Sequence, residues 1–261
     1  YVWVPVKDIS RIYGIDNNGK LWGKLYNFSS SGKSANNWSE STSGVMSISN
    51  KTGYREPDVT HYNYEYDIDS DLQNYMDGKT QYELLSKELE EYFYTTIKSI
   101  QKYGGFYIGR YETGDLSSTA VVKRMNTDIN YQNWYTMYDK CKKIKGNNQN
   151  VITSLIWGSL WDETLTWLVE SKATISDGSE LTYSLVGSDS TSWGNYRNAT
   201  FNYISSSATI PEEISPKSEN SSIIIPTGSS SYAKANNIYD LAGNVNDWTL
   251  ETSSTYQRVY R

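Results

Sequence analysis

The chain has 261 residues, a formal net charge of −6 and only 21% charged residues. No basic cluster is long enough to track a phosphate backbone, which argues against nucleic acid as a partner; Lys140, Lys142, Lys143 and Lys145 read as the solvated side of one helix. One Cys (Cys141) and one His (His61) exclude an intrachain disulfide, a Cys-based zinc cluster and any site built from two His ligands of this chain. They leave a Ser-His-Asp triad a single possible base.

Hydrophobic residues make up 37%, and 24 Tyr and 9 Trp add burial capacity, so a real core is expected. No run of about 18 apolar residues exists, so no membrane span is predicted. A surface rich in Ser, Thr, Asn and Tyr suits an extracellular or virion protein. The opening Tyr1-Val2-Trp3-Val4-Pro5 has neither an initiator Met nor a signal peptide and reads as a processed or trimmed chain.

Residues 1–6 are mostly apolar and predict an opening strand. Asp16-Asn17-Asn18-Gly19 is a turn signal, and residues 21–26 read as the returning strand of a hairpin. Residues 28–52, rich in Ser, Asn and Gly, predict a long surface loop. The clearest helix spans 81–103, where Leu84, Leu85, Leu89, Tyr92, Phe93, Ile97 and Ile100 recur at helical spacing. Gly104-Gly105 ends it, and a strand follows over 106–112. A second helix is predicted over 134–145 with Tyr135, Tyr138, Cys141 and Ile144 inward; there Cys141 is a buried apolar residue rather than a nucleophile. A third covers 161–172, packed through Leu165, Trp167, Leu168 and Val169. Residues 176–235 read as loop-rich. No repeat or linker divides the chain, so the expectation is a single α+β domain over 1–261.

Several constellations fail their own tests. Asp67-Ile68-Asp69-Ser70-Asp71 begins like a calcium loop, but Leu72 and Gly78 stand where an EF-hand needs Gly and Glu. His61 has no Gly-x-Ser-x-Gly elbow anywhere in the chain. Asp162-Glu163 and Glu212-Glu213 are adjacent carboxylates, and the first pair reads as favourable charge near a helix N-terminus. Gly105, Gly109 and Gly194 make no phosphate-cradling loop.

One stretch stands apart: Asn236-Asn237-Ile238-Tyr239-Asp240-Leu241-Ala242-Gly243-Asn244-Val245-Asn246-Asp247-Trp248. Asp240 and Asp247 flank a Gly-Asn turn. One reading is a tight turn with Asp240 or Asn244 capping its own backbone. The other is a cluster of charged and carbonyl oxygens of the kind Ca²⁺ prefers.

Residues 239–248 resemble the signature of the formylglycine-generating enzyme (sulfatase-modifying factor) family, written Y-D-M-A-G-N-V-W-E-W. Other pieces agree in order over roughly residues 105–261. Gly105-Phe106-Tyr107-Ile108-Gly109-Arg110-Tyr111-Glu112-Thr113 resembles the family's early core strand F-x-I-x-x-x-E-V-T. Ser192-Trp193-Gly194-Asn195 resembles P-W-G-N, and Arg258-Val259-Tyr260-Arg261 resembles the start of R-V-x-R-G-G-S. Leu155-Ile156-Trp157 with Trp161-Asp162-Glu163 stands in the place of L-P-T-E-A-E-W-E but matches it poorly.

The resemblance implies a C-type-lectin-like fold of the sulfatase-modifying-factor type. Family members are cysteine-pair oxidases, iron enzymes using several histidines, or ligand-binding proteins of cell surfaces and phages, among them proteins diversified by retroelements. One Cys and one His cannot assemble either enzymatic apparatus. The resemblance therefore implies a non-enzymatic ligand-binding protein, displayed on a cell surface or phage, that recognises a protein or glycan. The alternatives are an oxidase whose catalytic cysteines lie beyond Arg261, or a structural module of a pilus or tail fibre. The family's calcium ligands fall on Asp240, Gly243, Val245 and Asp247, with Asp247 shorter than the family's Glu and Asn246 in place of its Trp. The family continues past the position of Arg261, so a partner chain completing the C-terminal sheet is a further expectation.

Overall fold

The computed structural model describes residues 1–15, 19, 21–35, 38–40, 46–48, 51–53, 56, 82–117, 119–187, 190–254 and 257–261. Its architecture is mixed, with a few helices beside small antiparallel sheets, compatible with the α+β expectation. The acidic run 67–71 and His61 lie outside the described residues.

β1 (Val2–Pro5) has Val4 fully buried. β2 (Tyr13–Ile15) and β3 (Leu21–Gly23) form the expected hairpin, pairing Tyr13 with Gly23 and Ile15 with Leu21. The return strand is shorter than expected. The region read as a long loop instead contains β4 (Tyr26–Ser29), β5 (Gly32–Ala35), β6 (Trp38–Glu40), β7 (Met46–Ile48) and β8 (Lys51–Gly53), paired as a hairpin and a three-stranded meander. Composition misled here because ladder hydrogen bonds come from the backbone and tolerate Ser and Asn on a wet face.

α1 (Tyr82–Tyr103) buries Leu89, Phe93, Ile97 and Ile100, a single stripe at helical spacing. It stops at Gly104, whose φ of +78° suits the left-handed turn after a helix. The Gly104 carbonyl accepts from Val6 N–H at 2.8 Å. β9 (Gly105–Ile108) then returns to pair antiparallel with β1, Trp3 opposite Tyr107. It ends four residues before the expected limit, so Arg110, Tyr111 and Glu112 lie outside the strand.

β10 (Thr113–Leu116), β11 (Thr119–Val122) and β12 (Thr127–Asp128) form a small sheet with β10 central. α2 (Trp134–Lys143) is capped by Asn133, whose Oδ1 accepts from Thr136 N–H at 2.9 Å. Tyr135, Tyr138 and Cys141 point inward as expected. Burial pushes the Cys141 thiol up to about 12, which fits a packed apolar group.

α3 (Gly158–Glu170) starts three residues earlier than its sequence pattern suggests. It is buried nearly all round, and Trp157, just before it, packs between Tyr92 and Phe93 at ring-centroid distances of 5.6 and 5.0 Å. Trp157 occupies the N-cap position and has no side chain able to cap. The cap arrives from Glu56 instead. Its carboxylate accepts from Gly158 N–H, from Ser159 N–H at 3.1 Å and from Ser159 Oγ at 2.7 Å. Asp162 and Glu163 therefore do not serve the helix N-terminus. They sit one turn in, both buried; Asp162 accepts from Tyr26 N–H at 2.8 Å, and Glu163 takes a two-point contact from Arg11 at 3.2 and 3.0 Å.

α4 (Tyr183–Gly187) is one short turn-and-a-half in the otherwise irregular region 176–235, with β13 (Phe201–Tyr203) and β14 (Ser215–Lys217) as a paired ribbon. β15 (Lys234–Ala235) and β16 (Ile238–Tyr239) flank Asn236-Asn237, which have φ of 43° and 65°. Two left-handed residues between paired strands match a type I′ hairpin loop, and Asn tolerates that conformation better than most. β17 (Trp248–Ser254) and β18 (Gln257–Tyr260) close the described chain as an irregular hairpin.

Two buried clusters result. One joins α1, α2, Trp157 and Leu250; the other joins α3 to Trp193, Ile238 and Ala242. Replacing Glu56 by Ala should cost about 2 kcal/mol in a denaturant titration, because two amide donors and a hydroxyl lose a buried acceptor. Glu56→Gln, which keeps one acceptor, should lose less; equal losses would mean that the side chain contributes by packing alone.

Candidate functional site

The Gly243-Asn244 turn is where the separate parts of the chain converge. Gly243 and Asn244 have φ of +76° and +70°. Gly243 is held against Asn195 through an isolated parallel bridge, and a Cβ at Gly243 would sit 2.6 Å from the Asn195 carbonyl oxygen. Only glycine fits both the conformation and the contact. Two of the quoted motif pieces, 192–195 and 239–248, thus meet face to face. Asn195 N–H donates to the Ala242 carbonyl at 3.1 Å, and Asn244 N–H donates to the Asn195 carbonyl at 3.0 Å.

The Asn244 carboxamide is the hub. Its Oδ1 accepts from Asn195 Nδ2 at 2.8 Å and from Ile225 N–H at 2.9 Å. Its Nδ2 donates to Glu112 Oε2 at 2.6 Å and to Asp128 Oδ2 at 2.7 Å. Both ends of the amide are therefore fixed, and so is its orientation. Glu112 Oε1 also accepts from Val245 N–H at 3.4 Å.

Four carboxyls crowd this hub: Glu112, Asp128, Asp240 and Asp247. Glu112, Asp128 and Asp240 are buried. Burial, and then the neighbouring carboxylates, push Glu112 well above the ordinary carboxyl range. Burial pushes Asp128 up to about 6 against the opposing hydrogen bonds from Asn244 and Glu112. Two carboxyls on one amide nitrogen disfavour each other's ionisation, so each raises the other's affinity for a proton. Burial raises Asp247 to about 7 with help from Asp128, and Asp240 to about 8.

The four residues expected as calcium ligands are placed as follows. Asp240 is fully buried; its Oδ2 accepts from Gly228 N–H at 2.6 Å, and its Oδ1 has no hydrogen-bond partner. Asp247 lies near Asp240 and Asp128, with its backbone paired both ways to Arg261 at 3.1 and 2.9 Å. Val245 offers its N–H to Glu112, and Gly243 packs on Asn195. Among the described residues, no three His, Cys, Asp or Glu side chains converge as ligands of one ion. The donor chemistry nevertheless suits a hard cation as well as a proton: Asp240 Oδ1 and Asp128 Oδ1 are buried oxygens lacking a partner.

Sequence reasoning missed Glu112 and Asp128 as members of this site. Glu112 lay in a motif quoted above for another purpose. Asp128 carried no signal at all. The other flagged carboxylates serve structure: Glu213 accepts from Ser231 N–H and Oγ, each at 2.9 Å, and ties two parts of the irregular region together.

In front of the turn lies an open cleft of about 210 Å³. Asn195, Gly243 and Asn244 belong to its wall, with Tyr196, Arg197 and Asn246 beside them.

Each crowded carboxyl binds its proton more tightly in the folded chain than in the unfolded one. The stability they contribute is whole below about pH 4, where both states are protonated, and is lost as pH rises through about 6 to 8. In chelator, the melting temperature should therefore fall between about pH 5 and pH 8, and a flat profile would refute the crowding. Asn244→Asp adds a fifth carboxyl and should lose more stability at the upper end of that range than at the lower. Asn244→Ala should cost about 3 kcal/mol or more at every pH, since it strands two buried carboxyls.

Searches of protein-family models, of curated proteins and of solved structures found no match to this chain.

Proposed function

We propose that this chain is a ligand-binding domain with a C-type-lectin-like fold, displayed on a cell surface or a phage particle, that recognises a protein or glycan without catalysis. The observation that supports the reading is the open cleft beside a turn that is anchored from inside. Asn244 uses both ends of its amide on the scaffold. Such a turn is a rigid wall for a ligand, and rigidity before binding lowers the ordering cost of association. The test is a survey of immobilised glycans and surface proteins with the purified chain. Saturable capture of at least one class is expected; no capture of either would remove the reading.

Calcium belongs to this proposal as a structural ion. Asp240 and Asp247, with the carbonyls of Gly243 and Val245, are the groups that would hold it. When bound it supplies positive charge to a buried acidic cluster. The chain's part is to give up the protons that otherwise neutralise those carboxyls, so calcium and protons compete. Added calcium should raise the melting temperature relative to chelator, and by more at about pH 8 than at about pH 5. Asp240→Ala should abolish the difference. A melting temperature indifferent to calcium at both pH values would exclude the ion.

A further inference from the structure

The cleft described above has a chemical character opposite to that of the protein around it. The chain carries a net charge of −6, yet no acidic side chain lines the cleft among the described residues. Arg197 lines it, is exposed, and forms no salt bridge with any described residue. Beneath it lies Lys217, only 1% exposed. The Lys217 ammonium donates to the Ala199 carbonyl at 2.7 Å and, more weakly, to the carbonyl of Arg197 itself at 3.4 Å. It also lies 5.6 Å from the Phe201 ring centroid. No described carboxylate pairs with it. Burial lowers the pKa of this ammonium, and the carbonyl oxygens around it offset part of its field, so its contribution to the cleft is minor. Arg197, exposed and with no described counter-charge, is the group that would meet an anion.

The remaining lining narrows the class. Ser221 and Ser222 bring hydroxyls, and Asn246 an exposed amide. On the wall, Asn195 is buried, and its Nδ2 is committed to Ile223 O and Asn244 Oδ1, so it shapes the cleft rather than offering a free polar group. Tyr196 and Ile224, 38% and 43% exposed, add apolar surface. A volume of about 210 Å³ falls below the roughly 300 to 1,000 Å³ of sites for drug-sized molecules. It suits one ring rather than a nucleotide or an extended peptide.

We infer that this cleft takes a single carboxylate-bearing sugar unit, the acidic residue of a glycan, with Arg197 on the carboxylate and the Ser221, Ser222 and Asn246 groups on ring hydroxyls. The inference rests on the ligand-binding reading above and specifies its site. A guanidinium meets a carboxylate with two parallel N–H donors, which fixes orientation as well as charge. Ring C–H faces pack on Tyr196 and Ile224. A peptide carboxylate would satisfy Arg197 but leave the serines and the Asn246 amide unused.

The experiment is a titration followed by amide resonances, with methyl glucuronide and methyl sialoside against methyl glucoside and a Glu-rich peptide. The acidic sugars should shift Tyr196, Arg197 and Asn246 and weaken with added salt. The neutral sugar should bind at least about tenfold more weakly, and Arg197→Ala should weaken the acidic sugars by a similar factor, the worth of one charge-assisted contact. Arg197→Lys should recover part of it. Equal binding of glucoside and glucuronide, shifts confined to another face, or tighter binding of the peptide would each overturn the inference. If Arg197→Ala still captures its partner in the survey of glycans and proteins, the cleft fails and the ligand-binding reading stands. If no partner is captured at all, both fail.

Discussion

A carboxamide wedged between two buried carboxyls is the contact on which this structure turns. Asn244 reaches Glu112 before β10, Asp128 on β12, Ile225 in the irregular region and Asn195 in the Trp193-Gly194-Asn195 run. The β10–β12 sheet, the irregular region and the Trp193-Gly194-Asn195 run are thereby joined at one side chain. Each small sheet has only two or three strands, so such a link adds to the two buried clusters in holding them together. An asparagine is suited to the task because it donates and accepts at once and tolerates the left-handed backbone that aims it inward. Aspartate could accept but not donate, and glutamine would carry the amide one bond too far.

The cost of that arrangement is a surplus of acid in the interior. Glu112, Asp128, Asp240 and Asp247 can be neutralised by protons, by a cation, or in part by amide hydrogens. The amide of Asn244 covers two of them and the Gly228 N–H a third. What remains is a demand for positive charge that solvent conditions must meet. Protons are one answer to that electrostatic problem, and the calcium proposed above would be a competing one. A second acidic centre, Glu56 with Asp162 and Glu251, is answered differently, by Arg261 and by the α3 N-terminus.

How much of this was readable in advance depended on sequence distance. The α1 stripe and its Gly104 stop, the hairpin through 13–23 and the burial of Cys141 follow from local pattern, and each is present in the structure. The Gly243-Asn244 turn was legible because glycine and asparagine advertise left-handed backbone. Its partners were not: Glu112 and Asp128 lie 132 and 116 positions before Asn244, and nothing local marks a carboxylate that will be buried. The strands within 28–52 were hidden for another reason. Their ladders draw on backbone groups, and Ser, Asn and Gly side chains leave no alternation to detect. The start of α3 was misplaced because its cap is not next to it in sequence.

That last feature bears on the order in which the chain can fold. A helix capped by its own neighbouring residue can begin as soon as the local segment is free. α3 has Trp157 at its boundary and borrows its acceptor from a residue 102 positions away. Its first turn is completed only after a long loop has closed, and loop closure of that length is an entropic cost met before the contact gives anything back. The helix at the centre of the molecule is thus a late-arriving element. The local element is α1 with its turn into β9, whereas the pairing of β9 with the chain's first strand closes a loop of similar length to that of α3.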